Sequence, residues 1–122
     1  MTFEDFDKIT ERLMGEIRTM RDTKGKEYAG PRDRFDNFNR LSKRMGISRN
    51  QVWQVYFTKH LDAIESYIRD GQTYSTENIQ GRIIDAMTYL LLLAGMIEED
   101  ELEQVERAKL DGTDPYTDDI PF

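Results

Sequence analysis

The stretch Ile79 to Ile97, IQGRIIDAMTYLLLLAGMI, is the most apolar in the chain and too long for an ordinary strand. Ile79, Ile83, Met87, Leu90, Ala94 and Ile97 recur at steps of three or four, the spacing of one helix face. From Met87 to Leu93 the apolar residues spread almost all round the axis. A helix apolar on every side has to be covered on every side, by its own domain or by a partner subunit. Arg82, Asp85 and Tyr89 gather on its less apolar flank, and charges beside such a surface need a partner, a ligand or a wet cleft.

The remaining chain supplies helices to cover this one. Phe3, Phe6, Ile9, Leu13, Ile17 and Met20 mark an amphipathic helix expected from Thr2 or Glu4 to about Asp22. It reads as part of the fold rather than as a signal peptide. A glycine-broken basic loop, DTKGKEYAGPRDRF, is expected over residues 22–35. Phe35, Phe38, Leu41 and Met45 predict a short second helix closed by Gly46. Ser48 with Gln51 reads as a capping box opening a third helix that ends near Asp70, before Gly71. Ser75 or Thr76 is the expected cap of the central helix. EEDELEQVERAKL after Ile97 predicts a short, exposed fifth helix. DGTDPYTDDIPF lacks periodicity and is acidic, which predicts a disordered tail. The expectation is an all-α, four-helix-type bundle over residues 1–110, followed by an acidic tail over 111–122.

Charge and composition narrow the function. The net charge of −7 argues against non-specific nucleic-acid binding. Between Arg18 and Arg49, however, ten Lys/Arg stand against four Asp/Glu, a local +6 that leaves −13 elsewhere. Such a segment suits a small anion such as a nucleotide, or else a solvated mixed-charge surface. No cysteine is present, which excludes thiolate metal sites and thiol nucleophiles and suits a reducing cytosol. No apolar run reaches the length expected of a membrane span, so a cytoplasmic location is the expectation. A homodimer is also expected, because Leu90 to Leu93 faces more directions than one small bundle can cover.

Several side chains could carry chemistry. His60, the only histidine, falls in the middle of the apolar arc of the third helix, with Lys59 at its edge. It reads either as a core histidine satisfied by its neighbours or as a ligand-site residue beside Lys59. Asp62 and Glu65 lie one turn apart on the polar face of that helix, and Asp85 lies on the next helix. Carboxylates from two helices can hold Mg²⁺; the plainer reading is a charged face, with Asp85 paired to Arg82, Lys59 or a loop cation. One histidine and no cysteine fall short of a zinc ligand set.

GKEYAGPRDRFDNF (25–38), KHLDAI (59–64) and ENIQGRIIDAMTYLLLL (77–93) together resemble a set of small helical proteins common in bacteriophages. Those are distantly similar to the all-α, MazG-like nucleoside triphosphate pyrophosphohydrolases and to nucleotide-modification-associated domains. The resemblance implies a shared nucleotide site drawn from Lys26, Tyr28, Asn37, Lys59, His60, Arg82, Asp85 and Tyr89. It also implies Mg²⁺ bound through Asp62, Glu65 and Asp85. One departure stands out: the pyrophosphohydrolases carry ExxD on the later helix, and here Arg82 stands three residues before Asp85. The expectation is a nucleotide-binding protein, with Mg²⁺-dependent nucleoside triphosphate pyrophosphohydrolase activity left open by this departure.

The last residues, Asp118, Asp119, Ile120, Pro121 and Phe122, resemble the C-terminal peptide of bacterial single-stranded DNA-binding protein. That likeness implies docking on replication or repair proteins, with Phe122 and Ile120 in an apolar pocket and the carboxylates on a basic rim. The alternative function is therefore a non-enzymatic inhibitor, recruiter or nucleotide-sequestering protein whose tail captures such a partner.

Overall fold

Four helices make up all the regular structure of the described residues: α1 (Phe3–Tyr28), α2 (Asp36–Met45), α3 (Arg49–Asp70) and α4 (Ile79–Asp111). The computed structural model describes residues 1–28, 33–72 and 76–112, with the backbone alone at Lys24 and at positions 26–28. The fold is all-α, as the periodicities require. Helix α4 packs against both α3 and α1, and α2 packs against α3.

Local signals place most helix ends. The Asp5 N–H donates to Thr2 Oγ1 at 3.0 Å, and Glu4 and Asp5 in the first turn of α1 meet the positive end of its dipole. The Ser48–Gln51 capping box forms in both directions, at 2.9 and 3.1 Å. Gly46 and Gly71 close α2 and α3 in the left-handed conformation, at φ 69° and 71°, where a Cβ would be strained.

Three expectations about element ends are corrected. First, α1 does not stop near Asp22 but runs through Gly25 to Tyr28. The Arg34 guanidinium lies where a Cβ on Gly25 would stand and donates to the Arg21 carbonyl. The missing side chain thus admits a tertiary contact that outweighs glycine's poor helix propensity. Second, the cap of α4 is Asn78, whose Oδ1 accepts from the Gly81 N–H at 2.8 Å, rather than Ser75 or Thr76. Third, there is no separate fifth helix: α4 is continuous for 33 residues and ends at Gly112. Nothing between Ile97 and Asp111 breaks a helix, and Glu, Leu, Gln, Arg, Ala and Lys all propagate one. The tail residues 113–122 lie outside the described residues.

The core sits between α2, α3 and the first half of α4. Phe38, Val52, Trp53 and Met96 form its centre, with Phe35, Leu41, Ile47, Phe57, Tyr89, Leu92 and Leu93 packed round it. Trp53 stacks on Phe57 at 4.6 Å between centroids, and Phe38 meets Tyr56 and Tyr89 edge-on at 6.5 Å. Gly95 lets the Phe35 ring lie flush on α4; a Cβ there would stand 2.9 Å from the ring. Complete burial of Met96 alone is worth about 2–3 kcal/mol. By length and composition α4 is a helix that could cross a membrane. This corrects the expectation that no apolar run reaches that length: 28% of its apolar window is buried, on the inward face carrying Asp85 and Met96, and Met87, Leu90, Leu91, Ala94 and Ile97 are exposed.

Candidate functional site

Two polar side chains are enclosed where α3 and α4 meet. His60 is 6% exposed and Asp85 4% exposed, and His60 Nδ1 lies 3.9 Å from Asp85 Oδ2. That separation is at the outer limit of an ion pair and too long for a direct hydrogen bond. Each residue faces inward for a reason readable in its helix. His60 lies on the same arc as Trp53, Phe57 and Ile64, and Asp85 lies one to three turns before Tyr89 and Met96. The Tyr89 ring tilts 44° against the imidazole at 5.0 Å, and its backbone carbonyl accepts the Trp53 indole N–H at 2.6 Å. Thr88, also buried, donates its hydroxyl to the Ile84 carbonyl.

Arg82 stands one turn before Asp85 on the same side of α4. Its side chain is largely enclosed, and its Nε lies 3.2 Å from Glu77 Oε2. An imidazole, a carboxylate, a guanidinium and a phenol ring are thus lined up along one seam. His60 and Asp85 are near enough for charge to couple them without a direct hydrogen bond. The guanidinium suits an anion.

The other expected residues are distributed differently. Lys59 is exposed beside His60. Asn37 is half-buried on α2, next to Phe38, and its Oδ1 accepts from Arg40 Nη2 at 3.2 Å. Asp62 and Glu65 are exposed on α3, whereas Asp85 is enclosed at the helix interface. Among the described residues, no group of three or more His, Asp or Glu side chains is placed to hold a metal ion. Asp62 and Glu65 thus lie on the polar face of α3, turned away from the seam that encloses Asp85. The side chains of Lys26 and Tyr28, and all of Asp118 to Phe122, lie outside the described residues. A shallow apolar groove of about 380 Å³ along α4, from Glu99 to Leu110, shares no residue with the seam.

A second polar cluster escaped the sequence reading. Arg49 Nη1 reaches Glu99 and Nη2 reaches Asp100, both at 2.8 Å, and Nη2 also donates to the Met96 carbonyl. Asn39 Oδ1 accepts from the same guanidinium at 3.2 Å, and the Phe35 ring lies 5.6 Å beneath it. Burial alone would lower the Arg49 pKa, but hydrogen bonds to Glu99 and Asp100, with their charges, raise it above the ordinary arginine value. A clue was present: an arginine at the first position of a helix opposes the dipole unless something else holds it.

No known protein family, curated protein or solved structure matches this chain.

Proposed function

We propose that this protein binds a small phosphorylated ligand of the nucleotide type at the seam between α3 and α4. The observation that carries the reading is the enclosed His60–Asp85 pair. Removing an imidazole and a carboxylate from water is costly, and apolar residues of similar volume would hold two helices together at least as well. A pair kept in spite of that cost points to a site. Arg82 would meet a phosphate as a hydrogen-bond fork, Tyr89 would offer its ring to a base, and exposed Lys59 would add attraction at the rim.

The test is calorimetry and thermal unfolding with a panel of nucleoside mono-, di- and triphosphates, with and without Mg²⁺. At least one class should raise the midpoint by several degrees, and Asp85→Asn or Arg82→Gln should abolish that rise. Absence of any stabilisation at about a thousand times a micromolar Kd, where linkage predicts about 4 kcal/mol, would sink the reading. Pyrophosphate measured in the same samples decides whether turnover accompanies binding.

A second reading rests on the sequence Asp118-Asp119-Ile120-Pro121-Phe122. In it the tail captures a replication or repair protein, and the bundle serves as scaffold. Deleting these five residues should remove specific partners from a bacterial-lysate pull-down; an unchanged set would end it.

A further inference from the structure

The face that α4 turns away from its bundle is an apolar stripe with an internal symmetry. Met87, Leu90, Leu91, Ala94 and Ile97 are all exposed, the two central leucines by about half. At 3.6 residues per turn they span roughly 120° of the helix, on the side opposite Asp85, Tyr89 and Met96. Leu92 and Leu93 pack on the core instead. The surplus of apolar directions expected from Leu90 to Leu93 is therefore confined to Leu90 and Leu91, with neighbours one turn away on either side.

We propose that a second copy of this chain covers the stripe, in an antiparallel two-fold dimer built on α4. The register carries the argument. A two-fold axis passing beside Leu92 sets Met87 against the partner's Ile97 and Leu90 against the partner's Ala94. These four positions exchange among themselves under the operation, as an isologous interface requires. The bulky leucine meets the small alanine at both central crossings, so the helices can approach to about 8 Å.

Charge selects the direction. Exposed Glu98 and Glu101 bound the stripe on its C-terminal side, while Ile83 and Gln80 bound it on the other. Parallel helices would bring the acids of both copies together. The antiparallel arrangement separates them by roughly 18–27 Å along the axis and lays each beside the uncharged end of its neighbour. An anionic membrane is a poorer occupant. From Ile79 to Glu101 the one basic residue is Arg82, on the opposite face, and the chain as a whole carries −7.

The exposed apolar area of the stripe is on the order of 300 Å² per copy, about 600 Å² for the pair and below the roughly 1,200 Å² of stable interfaces, so the pairing expected is weak and transient. Because the seam with His60 and Asp85 lies on the other side of α4, ligand binding and pairing should fail or succeed independently.

Sedimentation equilibrium on the full chain, from about 1 to 500 µM, should show a monomer–dimer equilibrium. Leu90→Glu and Ala94→Lys each alter an exposed position, so helical content should stay unchanged while dimer affinity falls at least tenfold. Mixing the two variants should restore pairing as a heterodimer, because the altered positions face each other across the axis. A wild-type chain that stays monomeric throughout the range overturns the dimer. Failure of the mixture to pair overturns the register. A monomer that instead sediments with zwitterionic lipid vesicles assigns the stripe to a membrane surface and overturns the proposal.

Discussion

Trp53 donates its indole N–H to the backbone carbonyl of Tyr89 across 2.6 Å, fastening α3 to α4 one turn beyond Asp85. The bond lies within the apolar centre of the protein, so its loss should be felt by both helices and by the seam beside it. Trp53→Phe keeps most of the aromatic packing and removes the donor. It should lower stability by about 1–3 kcal/mol in urea unfolding, with the slope of the transition unchanged. A loss below a few tenths of a kcal/mol would mean that the bond is replaced by water.

The Arg49 clamp makes a different prediction. Arg49→Ala should cost about 2–4 kcal/mol, below the range for fully buried pairs because Glu99 and Asp100 are each about two-fifths exposed. Arg49→Lys should recover less than half, since an ammonium cannot reach both carboxylates as a fork. The folded-state pKa of Arg49 is raised. Its contribution is therefore fully present below the unfolded value and is lost only as pH climbs through the higher folded value. A double-mutant cycle between Arg49 and Asp100 should accordingly give the same coupling from about pH 7 to 10.

His60 and Asp85 should behave as a pair kept for something other than stability. Asp85→Ala alone should destabilise by about 3–5 kcal/mol, because it breaks an enclosed polar pair from one side. His60→Leu combined with Asp85→Leu should come within about 1–2 kcal/mol of the wild type or exceed it, while ligand-induced stabilisation disappears. A double variant as unstable as the sum of the singles would make the pair a structural element.

Gly95 tests the docking of Phe35 on α4. In an ordinary helix interior, glycine to alanine gains about 1 kcal/mol. Here the added methyl would meet the ring at 2.9 Å, so Gly95→Ala should instead lower stability by about 1–2 kcal/mol. Combining it with Phe35→Leu should bring back part of the helix-propensity gain, read from thermal or urea midpoints.

Much of the helical layout was legible because the signals are local. The Ser48–Gln51 box and the glycines after Met45 and Asp70 act within one turn of the chain, and each ends or begins a helix where expected. The inward position of His60 also followed from periodicity, whereas Asp85 and Tyr89, on the less apolar flank of α4, are turned inward and Met87, Leu90, Ala94 and Ile97 outward. The overextended loop after Asp22 and the missing break after Ile97 have a common cause. A fading apolar pattern was read as a helix end, although a helix continues until something stops it. Gly25 does not stop α1, and the space its missing side chain leaves is taken by Arg34 from beyond the helix. Asn78 takes the cap of α4 ahead of Ser75 and Thr76 because it stands three residues from the Gly81 N–H.

Periodicity and capping determined, from the residues alone, that this chain makes amphipathic helices and where most of them begin and end, since both act over distances of a few residues. The tertiary structure decided which hidden faces meet. It brought His60 beside Asp85, left Asp62 and Glu65 outside, joined Arg49 to acids fifty residues away and turned Leu90 outward while Leu92 went in. Those outcomes depend on how helices rotate and approach one another, which is set by packing volume and charge pairing across the whole bundle rather than by any local spacing.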